Sequence, residues 1–102
     1  MAQFDILRNP QGGPYPLVID LQSETLARLA TRLVAPLIAA KRYARKPITR
    51  LNPVARVKGV DYVILVQDLA SIPATELGEV VGSLASQRPE LIAALDLMFT
   101  GV

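Results

Sequence analysis

A chain of 102 residues makes one domain, 1–102, whose core is small enough to benefit from a partner subunit, and 51% hydrophobic content with a positive mean hydropathy points to oligomerisation. A net charge of +2 from 11 basic and 9 acidic side chains is too mild to mark a nucleic-acid binder. The absence of cysteine excludes disulfides and thiolate metal sites, and the absence of histidine removes the usual acid–base group and the commonest metal ligand, so most hydrolase and metalloenzyme designs lose their central part.

The N-terminus has no basic region followed by an apolar run, and no apolar run approaches the ~18 residues needed to span a bilayer, so a soluble intracellular protein is expected. Phe4 and Ile6 alternate with Gln3 and Asp5, which predicts a half-buried first strand, and residues 9–14 (Asn-Pro-Gln-Gly-Gly-Pro) read as a loop. Leu17, Ile19 and Leu21 then share one face, with Val18, Asp20 and Gln22 on the other, which predicts a strand with one buried side. From Ser23 to Ala35, local propensity predicts a helix: Leu26, Leu29, Ala30, Leu33 and Val34 fall at helical spacing behind a Ser23 N-cap, although Pro36 sits badly in a helix that continues.

Lys41, Arg42, Tyr43, Arg45 and Lys46, with Arg50 beyond, form the densest positive stretch, either a solvated loop or a binding surface. Val54–Val57 and Val60–Val66 flank Lys58-Gly59, which predicts a tight hairpin. Asp68 to Pro73 leaves the sheet, and Glu76 to Ser83 crosses the surface, with Gly78 and Gly82 keeping any helix there short. Pro89 and Glu90 open the last helix, along which Leu91, Leu95, Met98 and Val102 recur at helical spacing, Ile92 and Phe99 widen the stripe, and Ala93, Ala94 and Asp96 fall outside it. An apolar Phe99 and Val102 on either side of Gly101 predict a tip kept for contact.

No catalytic or metal-binding constellation emerges, and no cofactor is called for. Ser83 lies outside its neighbouring glycines and has no histidine to serve it, so it is no nucleophile elbow, and Lys58-Gly59 is no phosphate loop. Glu76 and Glu79 read as surface carboxylates, while Asp20, Asp61 and Asp68 lie at or near strands with nothing in the sequence to bring them together.

Leu97-Met98-Phe99-Thr100-Gly101-Val102 resembles the Leu-Met-Phe-Trp-Gly-Ile ending of the CcdB family, gyrase-poisoning toxins of bacterial toxin–antitoxin pairs. The resemblance continues in order through Gln3-Phe4, Val18 to Ser23, Arg32 to Leu37 and Leu69 to Pro73. It implies a mainly β fold, an SH3-like barrel of the CcdB/MazF type with a C-terminal helix. It also implies a loop after Ser23, a strand from Thr31 to Leu37 in place of the helix, and a homodimer with Ala70, Ser71, Ile72, Pro73 and Met98 at its interface.

By the same resemblance the protein is a cytoplasmic bacterial toxin of plasmid-maintenance type that traps gyrase on cleaved DNA by binding, without a reaction of its own. Its gyrase A contacts would be Thr25, Leu26, Asp96, Phe99, Thr100, Gly101 and Val102. A CcdA-like antitoxin with a disordered acidic tail would fit the basic surface of Lys41, Arg42, Tyr43, Arg45 and Lys46. The chain departs from the family pattern at Thr100 for Trp, Asp96 for Asn, Thr25 for Ile and Val102 for Ile. A MazF-like endoribonuclease on the same barrel, and an antitoxin-binding homologue with weakened or lost toxicity, are the alternatives.

Overall fold

In the computed structural model, which describes all of residues 1–102, the aliphatic runs of the sequence form seven short strands and one helix. The strands are β1 (Asp5–Arg8), β2 (Leu17–Asp20), β3 (Thr31–Ala39), β4 (Val54–Val57), β5 (Val60–Ile64), β6 (Ala70–Pro73) and β7 (Val80–Ser83). They make one curled antiparallel sheet in the order β4-β5-β3-β2-β1-β7, with β6 also on β3. The helix, α1 (Arg88–Thr100), packs onto the inner face through Leu91 and Ala94, both fully buried among Phe4, Ile19, Leu37 and Ile64.

The strand of Leu17 to Gln22 buries both faces, where the sequence pattern predicts one. Leu17, Ile19 and Leu21 enter the main core, while Val18 packs with Leu7 and Val34 in a second cluster on the opposite face. Asp20 on that second face is fully buried because Arg32 meets it across β2 and β3: Nη2 and Nε donate to Asp20 Oδ2 at 2.6 and 3.0 Å. A buried carboxylate needs such a partner to stay charged. Near the N-terminus the regular strand begins only at Asp5, because Phe4 takes a left-handed turn with φ 70°. Its N–H still donates to the Asp20 carbonyl, and its ring is buried.

The helix that propensity predicts over Ser23 to Ala35 does not form. Only a single 3-10 turn, Glu24–Leu26, precedes β3, which covers the Thr31 to Leu37 strand implied by the resemblance and runs on to Ala39. Tertiary pairing overrides propensity, since β3 is the central ladder, bonded to β2 on one side and to β5 and β6 on the other. Pro36 suits this arrangement. β6 pairs with Thr31 to Val34 and β5 with Leu37 to Ala39, and between them the chain swings out through a 3-10 turn, Val66–Asp68. The Pro36 carbonyl accepts from the Leu65 N–H at 3.0 Å on that side, so the missing proline N–H falls where no partner strand asks for it.

The hairpin at Lys58-Gly59 forms as its sequence predicts, with positive φ at both turn residues (50° and 81°), though its second strand stops at Ile64 rather than Val66. Glu76 to Ser83 forms no α-helix: after a 3-10 turn, Ala74–Glu76, its second half, Val80–Ser83, is β7 and pairs with β1. Gly78 permits this, because a Cβ there would stand 2.8 Å from the Arg8 carbonyl oxygen that its own N–H bonds.

Candidate functional site

Pro89 and Glu90 occupy the first turn of α1, and the buried pair Leu91 and Ala94 fixes the helix on the turns Val66–Asp68 and Ala85–Gln87. Ala94 belongs to the buried stripe, contrary to the spacing argument, because a small side chain lets the backbone approach the core closely. Ile92 and Leu95 pack at the core margin. Past Leu97 the apolar residues stop packing: Met98 is 40% exposed, Phe99 64% and Val102 77%.

The tip is nevertheless shaped. Gly101 ends the helix in the left-handed region at φ 77°, with its N–H donating to the Leu97 carbonyl at 3.1 Å, a conformation that glycine adopts without steric penalty. Val102 therefore lies beyond the helix rather than continuing its stripe. The Thr100 hydroxyl donates back to the Asp96 carbonyl at 2.7 Å. Arg50, itself at φ 72°, donates from Nη2 to the Val102 carbonyl and ties the tip to the loop before β4. Asp96 is exposed and belongs to none of the ion pairs, which are Arg8–Glu79, Asp20–Arg32 and Arg56–Asp61. A cleft of about 230 Å³ lined by Arg50, Pro53, Glu90 and Ala93 flanks the helix.

Thr25 and Leu26 lie in the loop between β2 and β3, where residues 23–30 are all exposed. Ser23 Oγ accepts from the Thr25 N–H at 3.2 Å, and no hydrogen bond joins this loop to α1. The loop and the tip are thus carried by separate elements of the chain. Lys41 and Arg42 sit on a 3-10 turn, Ala40–Arg42, after β3, with Arg45 and Lys46 in the following loop. All four are exposed and outside the ion pairs, while Tyr43 is half-buried. Ala70, Ser71 and Pro73 on β6 are exposed and Ile72 half-buried, and β6 has only β3 as a neighbour. Beside it a groove of about 150 Å³ opens over Val18, Val34, Pro36 and Leu77.

The carboxylates at or near strands do not converge: Asp20 is buried against Arg32, Asp61 pairs with Arg56 at the surface, and Asp68 stands apart on the Val66–Asp68 turn. No set of three acidic side chains is placed to hold a metal ion, and no helix is long and apolar enough to cross a membrane.

Compared with known protein families, residues 3–101 match the CcdB protein family. The chain belongs to the CcdB family. Membership places it among the toxins of toxin–antitoxin pairs, and the CcdB-like motifs now have positions. Val18 to Asp20 is a strand buried on both faces, Arg32 to Leu37 is the central ladder, and Leu97 to Val102 is the exposed end of α1. Among solved structures, the Mycobacterium tuberculosis toxin MazF-mt6 is similar, with a TM-score of 0.73 and 22% identity over 93% of this chain and 95% of that one. That likeness establishes the curled, mainly β barrel with a C-terminal helix shared by the CcdB and MazF types.

Two residues at these sites escaped sequence reasoning. Leu29 is 52% exposed beside Leu26, although helical spacing counted it towards a buried face. The bond from Arg50 to Val102 joins positions far apart in the chain, and no local pattern signals it.

Proposed function

We propose that this CcdB-family chain is the toxin of a type II toxin–antitoxin pair that binds the DNA gyrase A subunit and traps the cleaved-DNA complex. It acts by binding and catalyses no reaction of its own. The observation that carries this reading is the tip: Phe99 and Val102 stand 64% and 77% exposed on a capped, tethered helix end. An exposed ring beside a glycine can enter a pocket while the backbone approaches closely. Asp96, Thr100 and Gly101 complete the contact, with Thr25 and Leu26 contributing from the loop.

Thr100 stands where the family carries a tryptophan, and a buried interface tryptophan commonly contributes ~2–4 kcal/mol, or roughly 30- to 1000-fold in affinity. Binding is therefore weaker than in a tryptophan-bearing relative. Asp96 deepens the loss, because a carboxylate accepts hydrogen bonds where an amide would also donate. Thr100→Trp should tighten binding to gyrase A fragments and increase cleavage-complex trapping, and removal of Val102 should reduce both. If neither change has an effect, the tip is not the working end. Induction in a bacterial host, read for DNA breaks, RNA cleavage and growth, separates this reading from a MazF-like endoribonuclease and from a homologue that only binds antitoxin.

The same reading places a homodimer on β6 and Met98. β6 has one unpaired edge, three of its four residues are exposed, and the sequence is apolar for its size. Light scattering that finds only monomer at micromolar concentration overturns it. The unpaired cations Lys41, Arg42, Arg45 and Lys46, with Tyr43, would receive the acidic tail of a CcdA-like antitoxin. Reversing Lys41, Arg42 and Arg45 to Glu should weaken antitoxin binding and flatten its salt dependence.

A further inference from the structure

Residues 23–30 are all exposed, and Leu26 and Leu29 are 49% and 52% exposed. Such a loop would ordinarily be mobile. Here a continuous polar network runs into it from the interior. Arg32 holds Asp20 Oδ2, and Asp20 Oδ1 accepts from the Gln22 N–H at 3.0 Å. The Gln22 side chain then uses both ends of its amide: Oε1 accepts from the Leu33 N–H at 3.2 Å, and Nε2 donates to the Leu26 carbonyl at 2.9 Å. That carbonyl also accepts from the Leu29 N–H at 3.1 Å, so one oxygen sets the positions of both leucines.

We propose that Gln22 is a positioning residue that presents Leu26 and Leu29 as a preformed apolar contact for the gyrase A subunit. The proposal rests on the gyrase reading above and adds Leu29 to its surface. A glutamine amide suits the role because it accepts from β3 and donates to the loop at once, locking two segments whose backbone groups do not pair with each other. Ordering the loop before binding removes the ordering cost from the binding step, which is how preorganisation raises affinity.

The test compares Gln22→Met, which keeps the length and removes both hydrogen bonds, with Gln22→Glu, which keeps the acceptor but faces the Leu26 carbonyl with a carboxylate. In the free protein, both should speed amide exchange at Ala27 and Leu29 roughly tenfold, and both should weaken binding to a gyrase A fragment roughly tenfold. In a Leu26→Ala, Leu29→Ala background, Gln22→Met should cost no further affinity, since the residues it positions are gone. An additive loss there marks a general structural role and overturns the proposal, as does unchanged exchange. If Phe99→Ala abolishes gyrase binding while Leu26→Ala, Leu29→Ala leaves it intact, the gyrase reading stands and this proposal falls. If the wild-type protein does not bind the fragment, both fall.

Discussion

The two halves of α1 share one backbone and are both rich in apolar residues, yet they do opposite things. Leu91 and Ala94 are fully buried, while Met98 and Phe99, about one turn beyond Ala94, are 40% and 64% exposed. The difference lies in what is opposite. The first half meets the turn Val66–Asp68 and the barrel core, and the second runs past the sheet with only Arg50 to hold its end. Apolar spacing along a helix shows which residues share a face, but where that face loses its cover depends on the length of the body beneath it.

The largest expected effect lies in the buried half. Leu91→Ala removes a fully buried side chain and should cost about 2–5 kcal/mol of stability in denaturant unfolding. Ala94→Leu should cost about 1–3 kcal/mol by overpacking the close contact between helix and core, and a neutral result would mean that Ala94 has room the buried stripe does not allow. At the boundary of the exposed half, Gly101→Ala forces a Cβ into the left-handed region and should cost about 1–2 kcal/mol, with amide exchange rising only in the last turn. Smallest of all, Phe99→Ala should change stability by less than about 0.5 kcal/mol. A stability loss there as large as at Leu91 would erase the distinction between the halves.

Sequence patterns revealed most where the physics was local. The hairpin at Lys58-Gly59 was legible because turn chemistry and β-branched flanks act within a few residues. The start of α1 was legible because Pro89, Glu90 and Leu91 each act within one turn. β3 was not, since leucines at helical spacing carry no sign of the β2, β5 and β6 edges that would capture them, and only the resemblance pointed to a strand. The second buried face of β2 was hidden for a similar reason. An aspartate in a strand reads as solvent-facing until an arginine twelve residues later is known to lie across from it. At the candidate site, the exposed apolar tip could be read directly, whereas the placement of Gln22, Leu29 and Arg50 depends on contacts made only in the folded chain.

The break in the β3 ladder at Pro36 bears on how the chain assembles. Opposite Ala35 and Pro36 the segment Leu65 to Leu69, which links β5 to β6, lies outside the sheet, so β5 and β6 are aligned against β3 independently, and a slip in one need not travel to the other. The same excursion carries Val66, fully buried, into the place where α1 lands. The seat for the helix is thus shared between the two strands: the segment that α1 rests on is held at one end by the register of β5 and at the other by that of β6, so the aim of the tip depends on both pairings.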